Sequence, residues 1–237
     1  MRRPLVLLVL VGSLALGSVC APGAVARKAR APVLPPTAHP YGQSYSEWAA
    51  DWWQWALSQP ADTNPLTDPT GARCANEQSG RVWFLAGTST GETVTRTCTV
   101  RTGTALLFPV VNAFACVDPG AENPGEAALR ESVAYVRSAT GLTAKIDGAT
   151  VPNVRSYFEE SSIFSVTLPE DNIFDSSAGN VPGGLYGPCV DAGYYLVVHP
   201  LPPGQHTIHF TGTVNTGTPP AEFTVDVTYH ITTVAGR

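Results

Sequence analysis

From Glu222 to Thr232 the chain alternates without a break. Phe223, Val225, Val227, Tyr229 and Ile231 fall on one face of an extended segment, and Thr224, Asp226, Thr228, His230 and Thr232 on the other. Side chains in a strand repeat every two residues, so this segment can bury one face and wet the other, and a one-residue slip would turn the whole apolar set into water. Shorter β-branched or aromatic runs at 81–86, 93–100, 104–111, 144–146, 162–168, 193–198 and 205–214, bounded by Gly, Pro or the Asp147-Gly148 turn, read as further strands. Such a series predicts a mainly β fold, an antiparallel β-sandwich or jelly-roll-like domain over 44–237, with two helices packed on it.

The first helix is announced by Ser44-Tyr45-Ser46-Glu47, a capping-box pattern, and must end before Pro60. On it Trp48, Trp52 and Trp55 share one stripe and are expected in the core, while Trp53 projects to the side and is the better candidate to meet a ligand. Asn123-Pro124-Gly125-Glu126 predicts the second helix, with Asn123 as cap and Leu129, Val133 and Val136 at helical spacing up to Gly141.

Arg2 and Arg3, an apolar run over 5–16 too short to span a bilayer, and Ala24-Val25-Ala26 predict a cleaved secretory signal at 1–26. A lipid anchor at Cys20 is the rival reading, against which Val19 supplies a branched residue where a small one should stand. Residues 27–43, rich in Pro and Ala, read as a disordered, exposed leader. Without the signal the chain carries 12 basic against 19 acidic side chains, a net charge of −7 with only Lys28 and Lys145 as lysines. That balance argues against nucleic acid as a partner, and no later apolar run is long enough for a transmembrane segment. Cys74, Cys98, Cys116 and Cys189 form an even set for an oxidising compartment. Of three pairings, Cys74–Cys98 with Cys116–Cys189 is preferred, because the first two flank the 82–85 strand and its return. The absence of any Cys-x-x-Cys pair weighs against zinc, and neither metal nor cofactor is expected.

The segment from Glu47 to Leu57 (EWAADWWQWAL), with Val82-Trp83-Phe84-Leu85-Ala86-Gly87 and Ala105-Leu106-Leu107-Phe108-Pro109-Val110, resembles a family of secreted bacterial proteins marked by such a Trp-rich segment. The resemblance runs through most of the mature chain and implies export, but no activity. Pro200-Leu201-Pro202-Pro203-Gly204-Gln205-His206-Thr207-Ile208 is similar to a turn-and-strand of extracellular immunoglobulin-like modules, which implies sandwich architecture alone.

Chemical candidates are few. Gly87-Thr88-Ser89-Thr90-Gly91 has the nucleophile-elbow spacing, yet a strand rather than a helix follows, so it reads as a hairpin turn. If 205–214 and 222–232 form a hairpin, His209 falls opposite Asp226 or Thr228, with His230 further along the same polar face near Thr207 and His206 on the apolar side. Glu159 and Glu160 are strand neighbours and point apart. Asp62, Asn64, Asp68, Asp171, Asn172 and Asp175 lack calcium-loop spacing and read as turn formers. The expected function is therefore non-catalytic binding of an extracellular ligand or surface component, with Trp53, His209, Asp226 and His230 as candidate binding residues. The alternative is a secreted hydrolase with an acid–base site built across loops.

Overall fold

The computed structural model describes residues 31–174, 181–217 and 221–235; the segment 1–26 read above as a signal, Cys20 within it, and Asp175 lie outside them. The chain folds into two packed sheets. One is built from β1 (Val82–Phe84), β3 (Ala105–Cys116), β8 (Gly184–Val198) and β6 (Phe158–Glu160), with β7 (Phe164–Leu168) also pairing with β8. The other runs in the order β2 (Thr93–Arg101), β10 (Glu222–Val234), β9 (Gly204–Asn215), β4 (Thr140–Ile146) and β5 (Ala149–Thr150).

The sandwich is mixed rather than wholly antiparallel. β1 lies parallel to β3 and β2 parallel to β10, while the remaining pairs are antiparallel. Successive β1 and β2 therefore belong to different sheets. The Gly87–Gly91 segment between them is a crossover, not a hairpin turn, because a Gly/Thr-rich loop carries no local mark of which sheet receives the next strand.

Burial follows the pattern of each strand. In β10, Val225, Val227, Tyr229 and Ile231 are buried against the first sheet, and the intervening polar residues face outward. In β8 every residue from Cys189 to Val198 is buried, because both faces are covered. One of its covers is α1 (Tyr45–Leu57), which packs on β6, β7 and β8. That helix begins at a complete capping box, in which the Ser44 side chain accepts from the Glu47 amide and the Glu47 carboxylate accepts from the Ser44 amide.

Two local readings change. The second helix, α2, spans Glu126–Val133 and continues as a 3-10 turn to Ser138. Its cap is Gly125 with φ of 90°, while Asn123 accepts a bond from the Gly125 amide and closes a turn instead. Residues 31–43 do not stand away as an exposed leader: Val33 bridges to Val198, the Leu34 amide bonds to Val197 O, and the Tyr45 hydroxyl donates to Leu34 O. The prolines there block regular structure but leave enough backbone donors to dock on the end of β8.

Cys74 is bonded to Cys98 and Cys116 to Cys189. The second bridge ties β3 to β8 at opposed positions, and the first ties the 60–80 loop to β2. Arg96, on β2 and only 1% exposed, pins the same loop: it donates to the carbonyls of Asp68, Ala86 and Gly87 and to the Tyr229 hydroxyl.

Candidate functional site

A cavity of about 280 Å³ lies where α1, the middle of β3, the β1–β2 crossover and the paired ends of β9 and β10 meet. Its wall is mainly apolar: Trp52 and Trp53 from α1, Val110 and Phe114 from β3, and Phe223 and Val225 from β10. The rings adjoin one another. Trp53 stands edge-on to Trp52 at 4.9 Å between centroids and lies 4.4 Å from Phe114, which in turn lies 5.9 Å from Phe174. Asn112 is the one β3 polar side chain in this wall, and Thr88 and Ser89 of the crossover add hydroxyls.

A bulge puts Asn112 and Phe114 there. Pro109 pairs with Tyr195 but Asn112 pairs with Gly193, so β3 carries one extra residue against β8. The insertion changes the phase of the alternation and brings Asn112 and Phe114 onto the face that carries Asp191, Gly193 and Tyr195. Gly193 leaves the space that this face needs: a Cβ there would lie 2.6 Å from the Asn112 Cβ and 2.7 Å from Tyr195 Cε2.

Behind the cavity wall sits a buried polar cluster. Asp191, fully buried, accepts through Oδ2 from the Trp53 indole N–H at 2.6 Å and from the Tyr195 hydroxyl at 2.9 Å. The Tyr195 hydroxyl accepts from Asn112 Nδ2 at 2.8 Å. Burial pushes the Asp191 carboxyl well above the ordinary carboxylate range, and the Trp53 and Tyr195 donors and the field of Arg130 offset this only in part. Its Oδ1 and the Arg130 Nη1 are both buried without a hydrogen-bond partner among the described residues. Burial likewise pushes the Tyr195 phenol well up, aided by the negative field of Asp191. The cluster thus fixes the angle of Trp53 and the side-chain position of Asn112, the two groups that reach the cavity.

Trp53, the ring set to the side of the tryptophan stripe, is buried here. It is 7% exposed and anchored through its N–H, yet it lines the cavity. Helical spacing sets Trp53 off the Trp48, Trp52 and Trp55 stripe, and this flank is covered as well because α1 meets more than one strand. Trp52 and Trp55 are buried, and Trp48 is half-buried against Phe84 at 6.1 Å.

The histidine face has a different character. His209 Nε2 lies 2.9 Å from Asp226 Oδ1, and Thr93 donates to Asp226 Oδ2 at 3.1 Å. In register His209 stands opposite Thr228, and His230 opposite Thr207 and, on the other side, Thr97. The structure pairs His209 with Asp226 but leaves His230 a step further along, and among the described residues no three acidic, His or Cys side chains gather as a metal site. His206 faces inward and bonds to Asp147 Oδ2 and Pro202 O.

The remaining candidates act locally. Ser89 sits in the crossover ahead of β2, with no helix behind it. Glu160 pairs with Arg137, and burial raises the Glu159 carboxyl. Asn64, Asp68 and Asn172 each accept backbone amides two residues on, as turn formers do. Asp191, Asn112 and Tyr195 were missed from sequence. The only available signal was an acid inside an otherwise uncharged stretch of β8, since a lone buried acid must find partners. No family model, no curated protein and no solved structure matches this chain.

Proposed function

We propose that this is an exported binding protein whose cavity beside α1 takes a small, ring-bearing, largely apolar molecule with at most one or two hydrogen-bonding groups. The observation that carries the reading is the wall itself: four aromatic rings in contact, with few polar side chains beside them, Asn112, the crossover hydroxyls, Tyr135 and Thr216. Ligand sites of this kind are concave, apolar and sparsely polar. An apolar cavity of roughly 150 Å³ already holds a benzene ring, so this one suits one or two fused rings. The two disulfides suit a protein that works outside the reducing cytoplasm.

A hydrolase would need acid and base groups converging on a substrate. Here Asp191, the one carboxyl among the described residues that is pushed well above its ordinary range, is closed behind Trp53, and the His209–Asp226 pair lies on the outward face of the other sheet. Binding is the reading that the geometry favours.

Calorimetric titration with indole and 2-naphthol tests the proposal. Binding with Kd in the range of about 10 µM to 1 mM is expected for at least one of them. Ala113→Leu, which adds bulk to the lining, should weaken that binding by about tenfold or more while the protein stays folded. No binding, or equal affinity in wild type and variant, would count against it.

A further inference from the structure

A second concavity, separate from the aromatic cavity, runs along the other flank of α1. It measures about 660 Å³ and lies between the helix, the 77–82 loop and β7. Trp48, Asp51, Gln54 and Trp55 recur at helical spacing along one of its sides. Phe84 supplies the floor, with its ring centroid 6.1 Å from that of Trp48 and 5.5 Å from that of Trp55. Both indole N–H groups are already used, Trp48 donating to Pro40 O and Trp55 to Asn76 O. What the tryptophans offer the groove is therefore ring surface and not a donor.

The polar groups around these rings have spare bonding capacity. Asp51 accepts one bond, from the Gln43 side chain, and that bond reaches Oδ2 only. Gln54 is exposed and gives its N–H to Ser165 O, which leaves its carbonyl oxygen open. Glu77 and Arg81 are exposed and make no hydrogen bond or ion pair among the described residues, although the Arg81 guanidinium rests 4.8 Å over the Tyr41 ring. Each of these groups is planar and has two or more polar atoms at the spacing of neighbouring hydroxyls.

We infer that this groove binds a neutral saccharide. A pyranose ring presents apolar C–H faces and an equatorial belt of hydroxyls, so it needs ring surface below and carboxylate, amide and guanidinium groups at the side, which is the arrangement along this helix. A purely apolar ligand would leave the amides and carboxylates desolvated without partners. An acidic sugar would meet two carboxylates, Asp51 and Glu77, against the single Arg81, so charge selects the neutral class. The inference stands apart from the proposal for the aromatic cavity, since the two concavities share no lining residue.

The test is calorimetric titration of the full mature chain with cellotetraose, chitotetraose and maltotetraose. At least one should bind with Kd of about 0.1–1 mM. Trp48→Ala should weaken it by about tenfold or more, and Gln54→Ala, at an exposed position that leaves the core intact, by a smaller factor of about three. Ala113→Leu, in the other cavity, should leave saccharide binding unchanged. Silence of all three sugars would overturn the inference. So would saccharide binding indifferent to both Trp48→Ala and Gln54→Ala, or a groove that takes an extended peptide and no sugar.

Discussion

The Trp53 indole N–H points at Asp191 Oδ2 from 2.6 Å, joining a helix ring that faces the cavity to a carboxyl sealed inside the sheet. Neither group is explained by packing alone. A buried acid is costly, and here it keeps one oxygen without a partner, so its value lies in what it holds in place. Trp53 and, through Tyr195, Asn112 are the groups held.

That carboxyl should leave a signature in the pH dependence of stability. Its folded-state pKa is raised, so the folded protein holds the proton more tightly than the unfolded chain. The contribution to stability is complete below the unfolded value of about 4 and is lost as pH rises toward the folded pKa. Urea unfolding at a series of pH values should show wild type losing stability relative to Asp191→Asn as pH rises from about 4. A difference that is flat, or that grows with pH, would contradict the buried-acid assignment.

Gly193→Ala should destabilise the protein by about 1–3 kcal/mol, because its Cβ would fall inside contact distance of both Asn112 and Tyr195. In a chain of this size that is a drop of roughly 2–4 °C in Tm per kcal/mol. Thermal unfolding checks it, and loss of ligand binding at temperatures where the variant is folded would show that the cluster shapes the cavity.

Among the described residues Arg96 has no carboxylate in its hydrogen-bonding shell; it is satisfied by four main-chain carbonyls, those of Leu66, Asp68, Ala86 and Gly87, and by the Tyr229 hydroxyl. Arg96→Met removes the charge but orphans these acceptors, at a cost of about 3 kcal/mol or more. Tyr229→Phe removes one hydroxyl from the same network and should cost about 1–2 kcal/mol. Denaturant midpoints in the order wild type, Tyr229→Phe, Arg96→Met are expected.

The two disulfides should differ in weight. Cys116–Cys189 spans 73 residues and Cys74–Cys98 spans 24, which in the chain-entropy picture corresponds to about 4.5 and 3.5 kcal/mol. Replacing each pair by alanine and comparing unfolding midpoints tests the order.

Strand periods and the cap of the first helix were legible in the sequence because they are local. The alternation in β10, the capping box at Ser44 and the cross-strand approach of His209 to Asp226 all follow from spacing. The site was not legible, because its geometry depends on an inserted residue. Read with unbroken alternation, β3 would place Val111 and Ala113 on the face of Pro109; the bulge places Asn112 and Phe114 there instead. The burial of Trp53 was not legible for a related reason, since a helical wheel describes one partner surface and α1 meets several. The parallel pairing of β2 with β10 joins segments more than a hundred residues apart, beyond the reach of any turn signal.

The indole N–H resonances of the five tryptophans, followed by nitrogen-edited NMR during titration with 2-naphthol, test the central claim most directly. Trp52 and Trp53 line the aromatic cavity and Trp48, Trp55 and Trp83 do not. The cavity account predicts saturable shifts of the Trp52 and Trp53 signals, with the other three nearly unmoved. Trp53 and Trp52 unchanged at saturating ligand, or shifts confined to Trp48 and Trp55, would contradict it.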